Sequence, residues 1–217
     1  MSRVLPILFN TDMVRAILDG RKTVTRRICK DANEYTVPDM SFYDADKRTY
    51  AVHNYADADH AEKLSIAERT CPICPGDILY VRETWQECCR YTVHSPITHC
   101  KYCYRASGES AFYGCIEECG EICNWRPSIH MPKEAARIWL RVKDVRAERL
   151  QEIDDSGAYS EGAGHADWIY QNGARRCEFA KLWNSTIKKS DLDRYGWDAS
   201  PWVWAIEFER CEKPEGW

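Results

Sequence analysis

Short alternating strands separated by helical stretches call for an α+β fold, a small closed β-barrel with flanking helices and an insertion. Three patterns carry this expectation. Stretches 77–84, 138–146 and 202–208 read as strands, 10–18 as a short amphipathic helix, and 154–188 as helical in character. This spacing suits a barrel better than a doubly wound sheet, in which strands and crossover helices would alternate throughout.

The elements follow in chain order. Met13, Val14, Ile17 and Leu18 recur at helical spacing, with Asn10 or Thr11 as N-cap and Gly20 as the stop. Residues 31–69 are the most polar and least patterned part of the chain and read as a long surface excursion. Pro75-Gly76 then makes a turn into Ile78, Leu79, Tyr80 and Val81, a core strand. Residues 86–124 read as a Cys-rich insertion between barrel strands. Ile138, Leu140 and Val142 alternate in a second strand, and Trp202, Trp204, Ile206 and Phe208 in a closing one. Between these two, Trp168, Ile169, Phe179, Leu182 and Trp183 are the expected inward positions.

A chain of 217 residues can bury one good core, so residues 1–217 read as a single domain carrying the excursion and the insertion. Net charge is −4, from 30 basic and 34 acidic residues, which argues against a sequence-independent grip on long nucleic acid. Any nucleic-acid contact must be local. With no run of 18 apolar residues and no basic-then-apolar leader, the chain reads as soluble and cytoplasmic, without a membrane partner.

Twelve cysteines are many for a reducing compartment, where their bunching suggests metal before disulfide. Cys100-x-x-Cys103 and Cys119-x-x-x-Cys123 have the spacing of a structural zinc site, because each short pair can present two thiolates to one tetrahedral ion. Tyr102-Cys103-Tyr104-Arg105 also reads as a strand, in which cysteine is a small apolar residue, and both assignments stay open. A catalytic zinc lacks support, since neither HxE nor HExxH occurs. No cofactor is expected for catalysis.

Gly20-Arg21-Lys22-Thr23-Val24-Thr25-Arg26-Arg27 packs four basic side chains and two hydroxyls directly behind the first helix. Arg21, Arg26 and Arg27 suit an anionic or polar ligand, although short basic runs are also common on solvated surfaces. In a regular strand Lys22 and Thr25 would point to opposite faces, so their cooperation needs a turn or bulge between them. The pattern Gly20-x-Lys22-x-x-Thr25-x-Arg27 resembles the G-x-K-x-x-[E/T]-x-R signature of ASCH domains, which are small PUA-like barrels. It is most similar to the variant of the bacterial N(4)-acetylcytidine amidohydrolases; many ASCH domains have Glu where this chain has Thr25. Residues 7–11, 75–85 and 125–132 resemble ASCH proteins of phages and prophages, so the resemblance extends over most of the chain.

The resemblance implies a hydrolytic chemistry and the residues for it. Lys22 would be a base and Thr25 a nucleophile in attack on the exocyclic amide of an acylated cytosine, since a threonine hydroxyl needs a neutral amine to take its proton. Burial and positive neighbours would favour that neutral amine. Matching the strand at 140–146 and counting on without a gap places the family's acid glutamate at Glu161, beside Gly162. Glu148, Glu152 and Glu178 read as ordinary solvated carboxylates. Arg82, Glu83, Trp85, Ser128 and His130 fall in segments similar to barrel-mouth elements and would contact substrate; His130 reads equally as a packed histidine bonded to backbone. Trp139, Trp183 and Trp204 read as packing.

Two function classes follow. One is an amidohydrolase acting on N(4)-acylated cytidine or a related modified pyrimidine nucleoside. The other is a module that binds a modified base or short single-stranded RNA or DNA, with a nuclease as a weaker third. Thr25 favours the first, whereas the insertion at 86–124, absent from the minimal amidohydrolases, favours a larger partner.

Overall fold

The computed structural model describes residues 2–30, 38–44, 49–55, 63–70, 72–87, 102–107, 125–164 and 173–216. Its strands form a mixed five-stranded sheet of order β1-β6-β9-β10-β2, a three-stranded sheet β3-β4-β5 and a two-stranded sheet β7-β8. The α+β class therefore holds. Among the described residues the five-stranded order runs from β1 at one end to β2 at the other.

The described chain divides into two compact units. The first comprises Met1–Gly20, Ile78–Arg141 and Arg210–Trp217. Here β1 (Val4–Leu8) runs parallel to β6 (Ile78–Arg82), in register from Val4 opposite Ile78 to Leu8 opposite Arg82. Asn10 opens α1 (Thr11–Leu18), its side-chain oxygen accepting the Met13 N–H at 2.8 Å, and the helix buries Val14, Ala16 and Ile17. The start of β9 (Trp139–Arg149) pairs antiparallel with β6 and contributes the fully buried Leu140 opposite Leu79. β7 (Trp85–Glu87) stands at the start of the expected insertion and pairs with β8 (Tyr102–Tyr104), which lies within it, and Trp85 packs with Met131, Ala135, Tyr102 and Tyr104. Cys103 is buried on β8; Cys100, Cys119 and Cys123 lie outside the described residues. Among the described residues no group of three or more His, Cys, Asp and Glu side chains could hold a metal ion.

The second unit comprises Arg21–Asp77 and Val142–Glu209. β2 (Val24–Ile28) pairs antiparallel with β10 (Trp202–Cys211), placing Thr25 opposite Ile206 and Arg26 opposite Ala205. The stretch expected to be an unpatterned excursion holds β3 (Pro38–Asp44), β4 (Thr49–Tyr55) and β5 (Lys63–Thr70), an antiparallel meander. Its strands carry Phe42, Tyr43, Thr49, Tyr50, Val52, Tyr55, Ile66 and Thr70, residue types that suit a pleated surface whatever the polarity between them. The Pro75-Gly76 turn is closed by the Asp77 N–H on the Cys74 carbonyl and by the Cys74 N–H on the buried Asp77 carboxylate, with Gly76 at φ +85°.

The expected helical stretch, 154–188, holds α2 (Asp155–Ser160) and α3 (Ala174–Thr186), and a further short helix, α4 (Leu192–Tyr195), follows it. Asp154 caps α2 through the Gly157 N–H at 2.6 Å, and Asp155 accepts the Gly173 and Arg176 N–H groups at the start of α3. Phe179 and Trp183 of α3 join Leu150, Ile153, Ala158, Ala163 and Val203 in one apolar cluster. Trp168 and Ile169 lie outside the described residues. No helix among the described residues is long and apolar enough to cross a membrane.

Gly196 ends α4 where space is shortest: a Cβ there would lie 2.4 Å from the Leu192 carbonyl oxygen, the same atom that accepts the Gly196 N–H at 2.8 Å. Because the obstructing atom is backbone, relief requires breaking the turn. Gly196→Ala is expected to cost about 1–3 kcal/mol, read as a lower urea midpoint. An unchanged midpoint would mean that the turn repacks freely.

Candidate active site

The segment after α1 is held at each residue. Thr23 donates its N–H to the Ser160 carbonyl at 2.9 Å and accepts the Phe208 N–H on its own carbonyl at 2.9 Å. Arg21 reaches the carbonyls of Gly162 and Gly164, both at 3.2 Å. Because β2 begins only at Val24, Lys22 sits in this loop and not in the strand alternation. Its side chain can therefore turn inward without obeying the pleat.

Lys22 is 2 % exposed and Glu161 3 %, values at which a lone charge would be untenable. The ammonium Nζ donates to the Val24 carbonyl at 2.7 Å, the Glu161 carbonyl at 2.8 Å and the Glu161 Oε2 at 2.6 Å. Those three acceptors match the three donors of a charged lysine. Glu161 is the C-cap of α2, so its carbonyl belongs to the electronegative end of the helix while its carboxylate supplies the counter-charge. Gly162, at φ +89°, turns the chain immediately afterwards.

The other Glu161 oxygen, Oε1, accepts from Arg26 at 3.2 Å. Arg26 is buried on β2, lies over the Phe179 ring at 5.9 Å, and holds Glu148 Oε1 through Nε at 2.7 Å and a terminal nitrogen at 2.6 Å. Glu148 Oε2 in turn accepts from Arg146 Nε at 3.0 Å. The sequence treated Glu148 as an ordinary solvated carboxylate; it is instead an internal partner of Arg26. Its only local signal is the i, i+2 spacing from Arg146 on one face of β9.

Thr25 is buried and, by the alternation of β2, lies on the face opposite Arg26 and shared with Arg27. Its hydroxyl is not among the three Lys22 acceptors. Arg27 acts electrostatically on both members of the pair: it pushes the Lys22 pKa down and is itself held up by Glu161 against the lowering effect of burial. For Lys22 the largest influence is desolvation, which lowers its pKa; Glu161 opposes it, and Arg27 and Arg26 add to it. The direction is down.

The remaining residues expected at the site lie in the first unit, in their own network. Arg82 donates to the carbonyls of Met131 (2.9 Å) and Ile129, clamping the turn Ser128–His130. Both Glu83 oxygens accept from Arg137 at 2.9 Å, and Arg137 also donates to Ser107 and lies 4.0 Å from the Tyr104 ring centroid. Trp85 is buried with the Arg126 guanidinium 5.3 Å from its ring, and its indole N–H has no hydrogen-bond partner among the described residues. Ser128 is half-buried and His130 exposed.

Comparison with protein-family models, with curated proteins and with solved structures gives no match to this chain.

The Lys22 shift has a measurable consequence. With a folded-state pKa below that of a free lysine, the folded chain binds fewer protons than the unfolded chain between the two values, so stability climbs as pH rises through that interval. Lys22→Met removes this titration. The urea stability of the parent relative to Lys22→Met is expected to increase with pH up to the free-lysine range and then level off. A difference that falls with rising pH would contradict the shift.

Proposed function

We propose that the chain is an amidohydrolase of the PUA-like, ASCH-type class, removing an acyl group from the exocyclic nitrogen of an N(4)-acylated cytidine or a related modified pyrimidine nucleoside. One observation carries the proposal. A lysine and a glutamate, both buried, touch at 2.6 Å, and the buried Thr25 follows that lysine by three residues in the same segment, so a base and an acid share one desolvated locus and the chain supplies a buried hydroxyl next to it in sequence.

The pair solves a protonation problem. Hydrolysis needs a neutral amine and a carboxylic acid, whereas the resting pair is an ammonium and a carboxylate. One proton moving from Nζ to Oε2 along their 2.6 Å hydrogen bond interconverts these states. In the neutral form Lys22 turns from the Val24 carbonyl and takes the Thr25 proton as Thr25 Oγ bonds to the acyl carbon. Collapse of the tetrahedral adduct breaks the carbon–nitrogen bond. Glu161 then donates its proton to the departing exocyclic nitrogen, leaving an acyl-threonine ester, a charged Lys22 and an ionised Glu161. Proton return from Nζ to Oε2 resets the pair. Water, losing its proton to Lys22, attacks the ester, and Thr25 recovers its proton from Glu161 as the carboxylic acid leaves. Arg21 and Arg27 would hold the polar parts of the nucleoside. No cofactor enters these steps, and a zinc held by Cys100, Cys103, Cys119 and Cys123 would be structural.

The second reading, a module that binds a modified base or short single strand, has one observation in its favour. The Lys22 ammonium already has its three acceptors, as a purely structural ion pair would.

Single-turnover hydrolysis of N(4)-acetylcytidine separates the two. Arginine keeps the charge of Lys22 but has no accessible neutral form, so Lys22→Arg should fold and lose nearly all turnover. Thr25→Ser should keep measurable activity, and Thr25→Val should lose it. Parent-like activity in Lys22→Arg would refute the base assignment; a parent inert on every acylated nucleoside would favour the binding module.

A further inference from the structure

We infer that Arg26 and Glu148 are positioning residues that set where the proton rests within the Lys22–Glu161 pair, through the unequal division of one guanidinium between two carboxylates. The catalytic meaning of this assignment rests on the hydrolase reading; the electrostatic assignment does not.

The distances show the division. Arg26 gives Glu148 two close contacts, at 2.7 and 2.6 Å, and gives Glu161 one longer contact at 3.2 Å. Glu148 thus draws the guanidinium away from the carboxylate that must become an acid. Arg26 cannot retreat to water, being buried against Phe179 and passing so close to Gly157 that a Cβ there would lie 3.5 Å from its terminal nitrogen. Lys22 and Arg26 balance Glu161 and Glu148, and a proton moving from Nζ to Oε2 leaves that balance unchanged. The internal transfer therefore brings no net charge into or out of the desolvated cluster.

Each element around the pair bears on it. β2 supplies Arg26 and Arg27; β9 supplies Glu148 and, half-exposed behind it, Arg146. α2 supplies Glu161 and is capped by Asp154, whose Oδ1 lies beside the same Gly157. α3 offers the Phe179 ring, and β10 places the apolar Ala205 opposite Arg26. Glu148 is thus the carboxylate that competes with Glu161 for Arg26. Without it the positive charge of Arg26 is no longer offset by Glu148 and bears more fully on the pair, so that Lys22 gives up its proton to solvent more readily.

The test is a pH titration of the Lys22 side chain by carbon-13 NMR of its Cε, in the parent, Glu148→Gln, Arg26→Gln and Arg26→Lys, with pH profiles of single-turnover hydrolysis beside it. Removing a negative charge should move the Lys22 titration to lower pH in Glu148→Gln, and removing a positive one should move it to higher pH in Arg26→Gln, each by about one pH unit. Arg26→Lys should return it toward the parent. In an active enzyme kcat of Glu148→Gln should fall about tenfold with little change in KM. A merely structural clamp would lower the stability of every variant without opposite movements. If Arg26→Gln does not fold, Glu148→Gln decides the matter with Arg26→Lys. A Lys22 titration that Glu148→Gln leaves in place or moves upward overturns the inference. Opposite movements in a parent that hydrolyses no acylated nucleoside support it while refuting the hydrolase reading.

Discussion

One buried ion pair, Lys22 with Glu161, constrains the groups around it in the second unit, because its charges must be satisfied where they stand. Two charges removed from water lose several kcal/mol of hydration each, and only close geometry with further hydrogen bonds offsets that loss. The surroundings supply both. The α2 C-terminus offers a carbonyl as well as a carboxylate to Nζ, Val24 offers another, and Arg26 occupies the remaining carboxylate oxygen. The main-chain bonds of Thr23 to Ser160 and Phe208 hold the loop so that these groups meet. Chain turns at Gly162 and caps at Asp154 and Asp155 then keep α2 and α3 in place around them.

Buried ion pairs stabilise poorly compared with apolar packing of the same volume, and here the ammonium and the carboxylate stand 2.6 Å apart in a buried place. Water at the same place would accept or supply protons indiscriminately and screen the neighbouring charges. A desolvated pair, flanked by Arg27 on the Thr25 face and Arg26 on the other, instead has its protonation decided by a few fixed groups. Such an arrangement suits a reaction that alternates base and acid roles in successive steps.

Much of the fold was legible because its signals are local. The Asn10 cap and the Val14–Ile17 stripe announce α1, the apolar run after Pro75-Gly76 announces β6, apolar alternation announces β9 and β10, and Phe179 and Trp183 announce α3. β2 was not legible as a strand. One of its buried positions is Arg26, whose neutralising partners Glu148 and Glu161 lie 122 and 135 residues away. An inward arginine reads as surface unless its partners are known, and for the same reason Glu148 reads as solvated. Residues 38–70 escaped because polar residues interrupt the alternation of all three strands. Lys22, Thr25 and Glu161 were legible through a motif and a register, whereas the contact between Lys22 and Glu161, 139 positions apart, needed the structure.

The central claim is that the Lys22–Glu161 pair is kept for proton transfer and not for stability, and a double-mutant cycle in urea tests it most directly. Lys22→Met and Glu161→Met should each cost about 3–5 kcal/mol, because each strands a buried charge, while the double variant should recover to within about 1 kcal/mol of the parent or exceed it. That recovery, with hydrolysis of N(4)-acetylcytidine lost, is the expected result. A double variant at least as unstable as the worse single one would show that the pair holds the fold together, and would contradict the account.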